Sequence, residues 1–150
     1  MFGPSWNDHG FPLFYFVLGL VYDYFAFALF EPKELVNSVM KDMKGKALSA
    51  AGDLSLAESA ALLARCNCLV SSDTGPLHLA CAVQTPVVGL YGSTDPRRTG
   101  PVGANHHVLI KDLACVPCEG KNCPLNTRAC MDAISVNEVF EATRKAAKCV

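Results

Sequence analysis

The stretch CLVSSDTGPLHLACAVQTPVVGLY, residues 68–91, decides the fold through its punctuation. Cys68 to Ser72 is a short apolar run, Pro76 to Val83 reads as a short helix with proline in its first turn, and Pro86 to Tyr91 is apolar again. Neither apolar run alternates strictly with polar residues, which is the pattern of strands covered on both faces. A strand, a helix and a second strand with no hairpin signal between them call for parallel pairing through a right-handed crossover.

The same order extends outward in both directions. After Glu31-Pro32, the residues Leu35, Val36, Val39, Met40 and Met43 fall at helical spacing, and Gly45 ends that helix. Lys46 to Ala51 reads as a short strand. Ser55-Leu-Ala-Glu58 is a capping box in which hydroxyl and carboxylate satisfy orphan amides of a helix running to about Arg65. His106 to Lys111 supplies one more strand. Ser135-Val-Asn-Glu138 caps a last helix whose Val136, Val139, Phe140, Thr143 and Ala147 share one face. The expected fold class is α/β, a Rossmann-like parallel sheet occupying residues 31–150.

With 150 residues the chain has room for one ordinary domain. Its 13 Lys plus Arg against 14 Asp plus Glu give a net charge of -1, without the basic excess that phosphate-backbone binding needs, so no nucleic-acid partner is expected. Apolar residues at 51% and charged residues at 18% argue for a buried core and against disorder. No basic region opens a signal peptide between Met1 and Gly10, so the expected compartment is the reducing cytoplasm.

Residues 1–30 differ in composition. Nine of the 13 aromatic residues lie between Phe11 and Phe30, and that stretch carries a single charge, Asp23. Its length is that of a membrane-crossing helix, about 20 residues. Asp23 opposes this, since a charge near the bilayer centre costs roughly 2.5–3.5 kcal/mol. Three readings stay open: a membrane anchor through residues 11–30, a buried strand over Phe14 to Leu20 followed by a core helix, or the remnant of a truncated gene. For a true span, the lysines at 33, 41, 44 and 46 would keep the following domain on the cytoplasmic face.

Ser72-Asp-Thr-Gly-Pro-Leu-His78 lies between a predicted strand and a predicted helix, where open parallel sheets bind ligands beyond their strand ends. Gly75 allows close approach of the backbone, and the amides of Thr74 to Leu77 with the helix dipole make a seat for a phosphate. The Thr74 hydroxyl adds a donor, and His78 in the first turn can reach the same anion. The alternative is structural, with Asp73 and Thr74 as helix caps and His78 as an ordinary half-buried ring. A second loop, Ser93 to Arg98, brings hydroxyls, Asp95 and two arginines to the same side of the sheet. There Arg97 or Arg98 would touch phosphate or acceptor, or Asp95 would cap the loop and leave the arginines in water.

These residues carry a resemblance. Asp73 to Ala80 as D-T-G-P-x-H-x-A, Thr85 to Val88 as T-P-V-V, and Gly92 to Pro96 as G-S-T-D-P resemble the carboxy-terminal nucleotide-sugar domain of glycosyltransferase family 9, the ADP-heptose lipopolysaccharide heptosyltransferases. The tail VPCEGKNCPLNTRACMDAISVNEVFEA, residues 116–142, is similar to the family's cysteine-rich loop and closing helix, so the likeness runs from about Leu35 to Ala147. It implies the second half of a two-domain GT-B enzyme, with donor bound here and a lipopolysaccharide core acceptor bound by a domain absent from the chain. Asp73, Thr74, Gly75, Pro76 and His78 would surround the donor diphosphate and sugar. The Ala51 to Leu56 loop, with Leu54, would line the base pocket, and Ser93, Thr94 and Asp95 complete the donor-binding set. Asp53 departs from the basic residue common at its position. The family's ribose-binding acid and diphosphate-neutralising lysine have no counterpart in residues 1–30, and the catalytic base belongs to the missing domain. Transfer would need no cofactor, with an ADP-sugar as donor substrate.

The cysteines Cys115, Cys118, Cys123 and Cys130 could hold a structural metal, although gaps of two, four and six residues are not a standard finger spacing. Free thiols packed under a loop are the alternative. His106 and His107 have no spacing that compels a role, and Cys66, Cys68 and Cys81 read as small apolar residues. The competing functional reading is a truncated, non-catalytic fragment acting as a binding or membrane-associated module.

Overall fold

The computed structural model describes residues 18–21, 24–27, 33–42 and 47–147. In chain order the elements are β1 (Leu18–Val21), β2 (Tyr24–Phe27), α1 (Lys33–Asp42), β3 (Ala47–Ser49), α2 (Leu56–Leu63), β4 (Leu69–Ser72), α3 (Gly75–Ala82), β5 (Val87–Tyr91), α4 (Pro96–Thr99), β6 (His107–Ile110), α5 (Ala129–Asp132) and α6 (Val136–Ala147). The strands form one sheet in the order β3-β2-β1-β4-β5-β6.

The apolar strands behave as their composition demands. All four residues of β4 and all five of β5 are buried. Leu69, Val87 and Tyr91 face Val36, Leu63, Leu77 and Ala80 from α1, α2 and α3, whereas Val70, Val88 and Leu90 face Met131, Ile134, Ala142 and Ala146 on the α5–α6 side. Alternate residues therefore feed two cores, one on each face. Each buried Leu or Val contributes roughly 1.5–3 kcal/mol against leaving it in water.

Parallel pairing holds for β4 with β5, β5 with β6 and β2 with β3. β1 is the departure, because it runs antiparallel to both β2 and β4. Two reversals restore direction, so β3, β2, β4, β5 and β6 all point the same way. The expected Rossmann-like parallel sheet is thus present in β3, β2, β4, β5 and β6, with β1 as a single reversed strand among them. The reversal follows from the two-residue separation of β1 and β2, which is too short for a crossover.

The described part of residues 11–30 is strand. A helical span across that stretch, and a core helix within it, are both replaced by β1 and β2, consistent with a run dense in Phe, Tyr and Val. Among the described residues no helix is long and apolar enough to cross a membrane. Residues 11–17, 22–23 (with Asp23) and 28–30, together with Met43 and Gly45, lie outside the described residues.

Both capping boxes form. The Ser55 hydroxyl accepts from the Glu58 amide and the Glu58 carboxylate accepts from the Ser55 amide, and Ser135 and Glu138 repeat the arrangement on α6. Lys111 pairs with Glu138 and, with the cap, holds that carboxyl at about 2. Thr85 ties two helices to the sheet, since its hydroxyl donates to the Leu63 carbonyl at 2.6 Å and its amide to Ala80 at 2.9 Å. Cys66 and Cys68 are buried as small apolar residues, and burial pushes the Cys68 thiol up to about 12. His106 takes a role with no sequence signal: its Nδ1 accepts from the Val87 amide at 3.1 Å and anchors the start of β5.

Candidate functional site

Because five strands share one direction, the loops after β3, β4, β5 and β6 all open on one edge of the sheet. That edge is where doubly wound sheets bind ligands. Between the loops after β4 and β5 lies a cleft of about 160 Å³ lined by Ser72, Asp73, Thr74, Leu90, Gly92, Ser93, Thr94 and Met131. Ligand pockets commonly measure about 300–1,000 Å³, so the volume of this cleft corresponds to a fragment of a typical ligand.

The β4–α3 loop is built from its own hydroxyls. Ser71 Oγ donates to the Ser72 carbonyl at 2.9 Å and lies 3.1 Å from Thr74 Oγ1, which itself donates to the Ser72 carbonyl at 3.3 Å. Thr74 is the N-cap of α3 with extended backbone, but its hydroxyl does not cap the helix. The set of main-chain donors in this loop is smaller than the sequence suggests. Pro76 has no N–H, and the Leu77 amide donates to the Thr74 carbonyl at 3.0 Å, so Thr74 and Gly75 are the loop's candidate main-chain donors. At Gly75 an added Cβ would meet nothing within 4 Å. Glycine is not demanded there by the fold, and the open space lies on the exposed side of the turn.

Asp73 Oδ2 accepts from the Thr99 hydroxyl at 2.7 Å, while Oδ1 lies 3.6 Å from His78 Nε2. The Asp73 side chain is 14% exposed and that of His78 is 51% exposed. Asp73 and Thr74 thus sit together in the cleft wall, whereas His78 lies beside Asp73 and is not among the residues that line the cleft.

The second loop divides. Ser93 and Thr94 line the cleft. Asp95 does not: it caps α4 by accepting from the Arg97 amide at 2.9 Å, and its two oxygens take the Arg97 guanidinium. The Arg97 side chain holds that carboxyl below its ordinary value. Arg97 is 84% exposed and Arg98 pairs with Glu119 at 3.4 Å, so the structural reading of both arginines fits better than phosphate contact. Leu54 also falls outside the cleft, packed against the core cluster of Val36 and Ala51, and Asp53 pairs with Lys33. Pro76 is buried at the start of α3 and does not line the cleft.

Three lining residues carried no sequence signal as ligand contacts. Leu90 and Met131 form the apolar floor, and Met131 arrives from α5, some forty positions downstream. Gly92 is required by packing, because an added Cβ would lie 2.9 Å from both Cys130 Sγ and Met131 Sδ.

The four clustered cysteines are half-buried free thiols. Among the described residues no group of three or more His, Cys, Asp or Glu side chains could hold a metal ion. A structural metal at these four thiols is not supported by that arrangement. Local packing uses these thiols separately. Cys123 Sγ accepts from the Arg128 amide at 3.4 Å, and the surrounding amides of Arg128, Leu125 and Thr127 hold it below the usual thiol range. Cys130 turns toward Gly92, and burial raises it.

Comparison with known proteins adds to this geometry. The family described as Glycosyltransferase family 9 (heptosyltransferase) matches residues 29–128. A lipooligosaccharide heptosyltransferase 2 of Campylobacter jejuni is 32% identical over 87 residues, covering 57% of this chain and 27% of the relative. A lipopolysaccharide heptosyltransferase 1 of Pseudomonas aeruginosa is 43% identical over 70 residues, covering 47% and 20%. Among solved structures, a family 9 glycosyl transferase from Veillonella parvula superposes with a TM-score of 0.66 at 28% identity, over 78% of this chain and 34% of that one. The E. coli ADP-heptose lps heptosyltransferase II shares the fold, with a TM-score of 0.66 at 22% identity over 81% and 35%. The chain therefore spans about a quarter of the curated relatives' length and about a third of the solved structures. With two thirds of its residues inside the family match and its fold shared, the chain belongs to glycosyltransferase family 9, the heptosyltransferases.

Proposed function

We propose that this chain is the donor-binding part of a heptosyltransferase-like glycosyltransferase, and that its ligand is a nucleotide-activated sugar, ADP-heptose first among them. The observation that carries the reading is the cleft at the shared C-terminal ends of β4 and β5, where one carboxylate, four hydroxyl residues and a helix N-terminus converge. Main-chain donors at Thr74 and Gly75, with the dipole of α3, suit a diphosphate. The Asp73 carboxylate repels phosphate, and its oxygens suit sugar hydroxyls. The size of the cleft suits the sugar and one phosphoryl group, with the nucleoside lying along the open edge toward the β3–α2 loop.

In this reading the chain's own residues stabilise the departing nucleoside diphosphate, through preorganised donors aimed at the charge that develops as the glycosidic bond breaks. Deprotonation of the acceptor hydroxyl requires a general base, which we assign to the part of the relatives that this chain does not span. The acceptor would be a lipopolysaccharide core sugar, bound by that same part. We place the reaction on the cytoplasmic side of the inner membrane, where nucleotide-sugars are available. Membership of an enzyme family disfavours the alternative of a non-catalytic binding module.

Calorimetric titration of the full chain with ADP-heptose tests the proposal. Thr74→Val and His78→Ala should each weaken binding by about tenfold, one hydrogen bond to a charged group, with the melting temperature little changed. Unaltered affinity in both variants would defeat the assignment.

A further inference from the structure

The sequence DPRRTG, residues 95–100, folds into a single fixed turn whose purpose is not evident within the turn itself. Asp95 caps it, Pro96 presets its first residue, and the amides of Arg98 and Thr99 both donate to the Asp95 carbonyl, at 2.9 and 3.1 Å. The Gly100 amide closes onto the Pro96 carbonyl at 2.8 Å. A Cβ at Gly100 would lie 2.2 Å from that carbonyl oxygen, so the closure demands glycine. From the core side the Tyr91 hydroxyl donates to the Thr99 carbonyl at 2.9 Å. Tyr91 is completely buried, and burial followed by the nearby Asp73 charge raises its phenol, which keeps it a donor. Five hydrogen bonds and a buried ring thus hold a residue that lies on the surface.

What this turn presents is the Thr99 hydroxyl, 2.7 Å from Asp73 Oδ2 and 3.4 Å from the Asp95 carbonyl. Asp73 is 26 residues away in sequence, on the neighbouring loop. The bond occupies one carboxylate oxygen and leaves the other facing His78 at 3.6 Å, beyond hydrogen-bond reach. A short carboxylate side chain with one oxygen pinned has little freedom about its last torsion, so the second oxygen is held at a constant place beside His78, on a residue that lines the cleft.

We infer that Thr99 is a positioning residue for Asp73: the 95–100 turn, locked to the core by Tyr91, fixes the carboxylate so that its second oxygen accepts a hydroxyl of the donor's sugar. This inference rests on the donor-binding reading above and adds a specificity device to it. Thr99 acts on the sugar only, through Asp73, so it should govern preference for a sugar-nucleotide over the bare nucleotide.

The test compares ADP-heptose with ADP on the full chain. The wild-type chain should bind ADP-heptose more tightly than ADP. Thr99→Val should reduce ADP-heptose affinity by about tenfold while leaving ADP affinity within about twofold, and Thr99→Ser, which keeps the hydroxyl, should restore the preference. Tyr91→Phe should show the same selective loss in milder form, and it guards against a Thr99 variant that fails to fold. Equal affinity of Thr99→Val and wild type for ADP-heptose overturns the inference and leaves donor binding intact. A loss shared equally by both ligands, with no rescue by serine, also overturns it, since that is the signature of a merely structural residue. Failure of the wild-type chain to bind either ligand overturns the donor-binding reading and this inference together.

Discussion

Asp73 and Asp95 stand just beyond the C-terminal ends of adjacent parallel strands, and their side chains are almost equally covered, 14% and 12% exposed. Burial does not distinguish them; their partners do. Asp95 spends both oxygens on Arg97 and on the amide that begins α4. Asp73 spends one on Thr99 and leaves the other 3.6 Å from His78, outside hydrogen-bond reach. The Asp95 carboxylate stabilises the very turn that orients the Asp73 carboxylate, so the two loops act in series. A charge at a strand end therefore indicates a ligand contact only after its own hydrogen bonds have been counted.

The strongest way to break this arrangement is Gly100→Ala. The added methyl has to displace the Pro96 carbonyl, an overpacking cost of about 1–3 kcal/mol. Both aspartates should then lose their settings together, with a lower melting temperature and weaker ADP-heptose binding. A variant matching wild type in thermal unfolding and in calorimetry would show that the turn bears no such constraint.

An exchange of single truncations sharpens the comparison. Asp73→Ala should weaken ADP-heptose binding by about tenfold with little change in melting temperature. Asp95→Ala removes a helix cap and its arginine pair, so it should lower the melting temperature by several degrees and affect binding less than Asp73→Ala does. The reversed ranking, read from the same two measurements, would contradict the division of labour.

The smallest effect is on acid stability. Arg97 depresses the Asp95 carboxyl below its ordinary 3.8 in the folded chain. A depressed carboxyl adds stability above its unfolded value and loses it as pH falls through the lower folded value. Asp95→Asn should therefore flatten the decline in stability below pH 3.8, measured by urea unfolding at successive pH values. A slope as steep as wild type would mean that the pair contributes nothing to acid unfolding. Salt should reduce the effect, because Arg97 is exposed.

Much of this fold is legible in the chain because its signals are local. A capping box needs residues only three apart, and both Ser55 with Glu58 and Ser135 with Glu138 form as their spacing requires. Unbroken apolar runs at β4 and β5 announce a sheet covered on both faces, since two cores must be fed from alternating residues. The cleft's first wall, Asp73 and Thr74, is likewise marked by a loop between strand and helix. Where reading failed, the deciding interaction was long-range. The aromatic stretch at 11–30 has the length of a membrane helix, yet its described residues are strands that pair with β3 and β4, partners no periodicity can name. Four nearby cysteines suggest a metal, but the loop turns Cys130 toward Gly92 and Cys123 into backbone amides.

By itself the sequence determined the α/β alternation, the helix caps and the strand-end loop that carries Asp73 and Thr74, because hydrophobic period and capping act over a few residues. Only the tertiary structure decided that β1 runs against its neighbours, that Met131 floors the cleft and that Asp95 is consumed while Asp73 is held by Thr99. Those outcomes depend on which distant groups meet once two cores are packed onto one sheet, and a side chain's chemistry does not state which partner will take its hydrogen bonds.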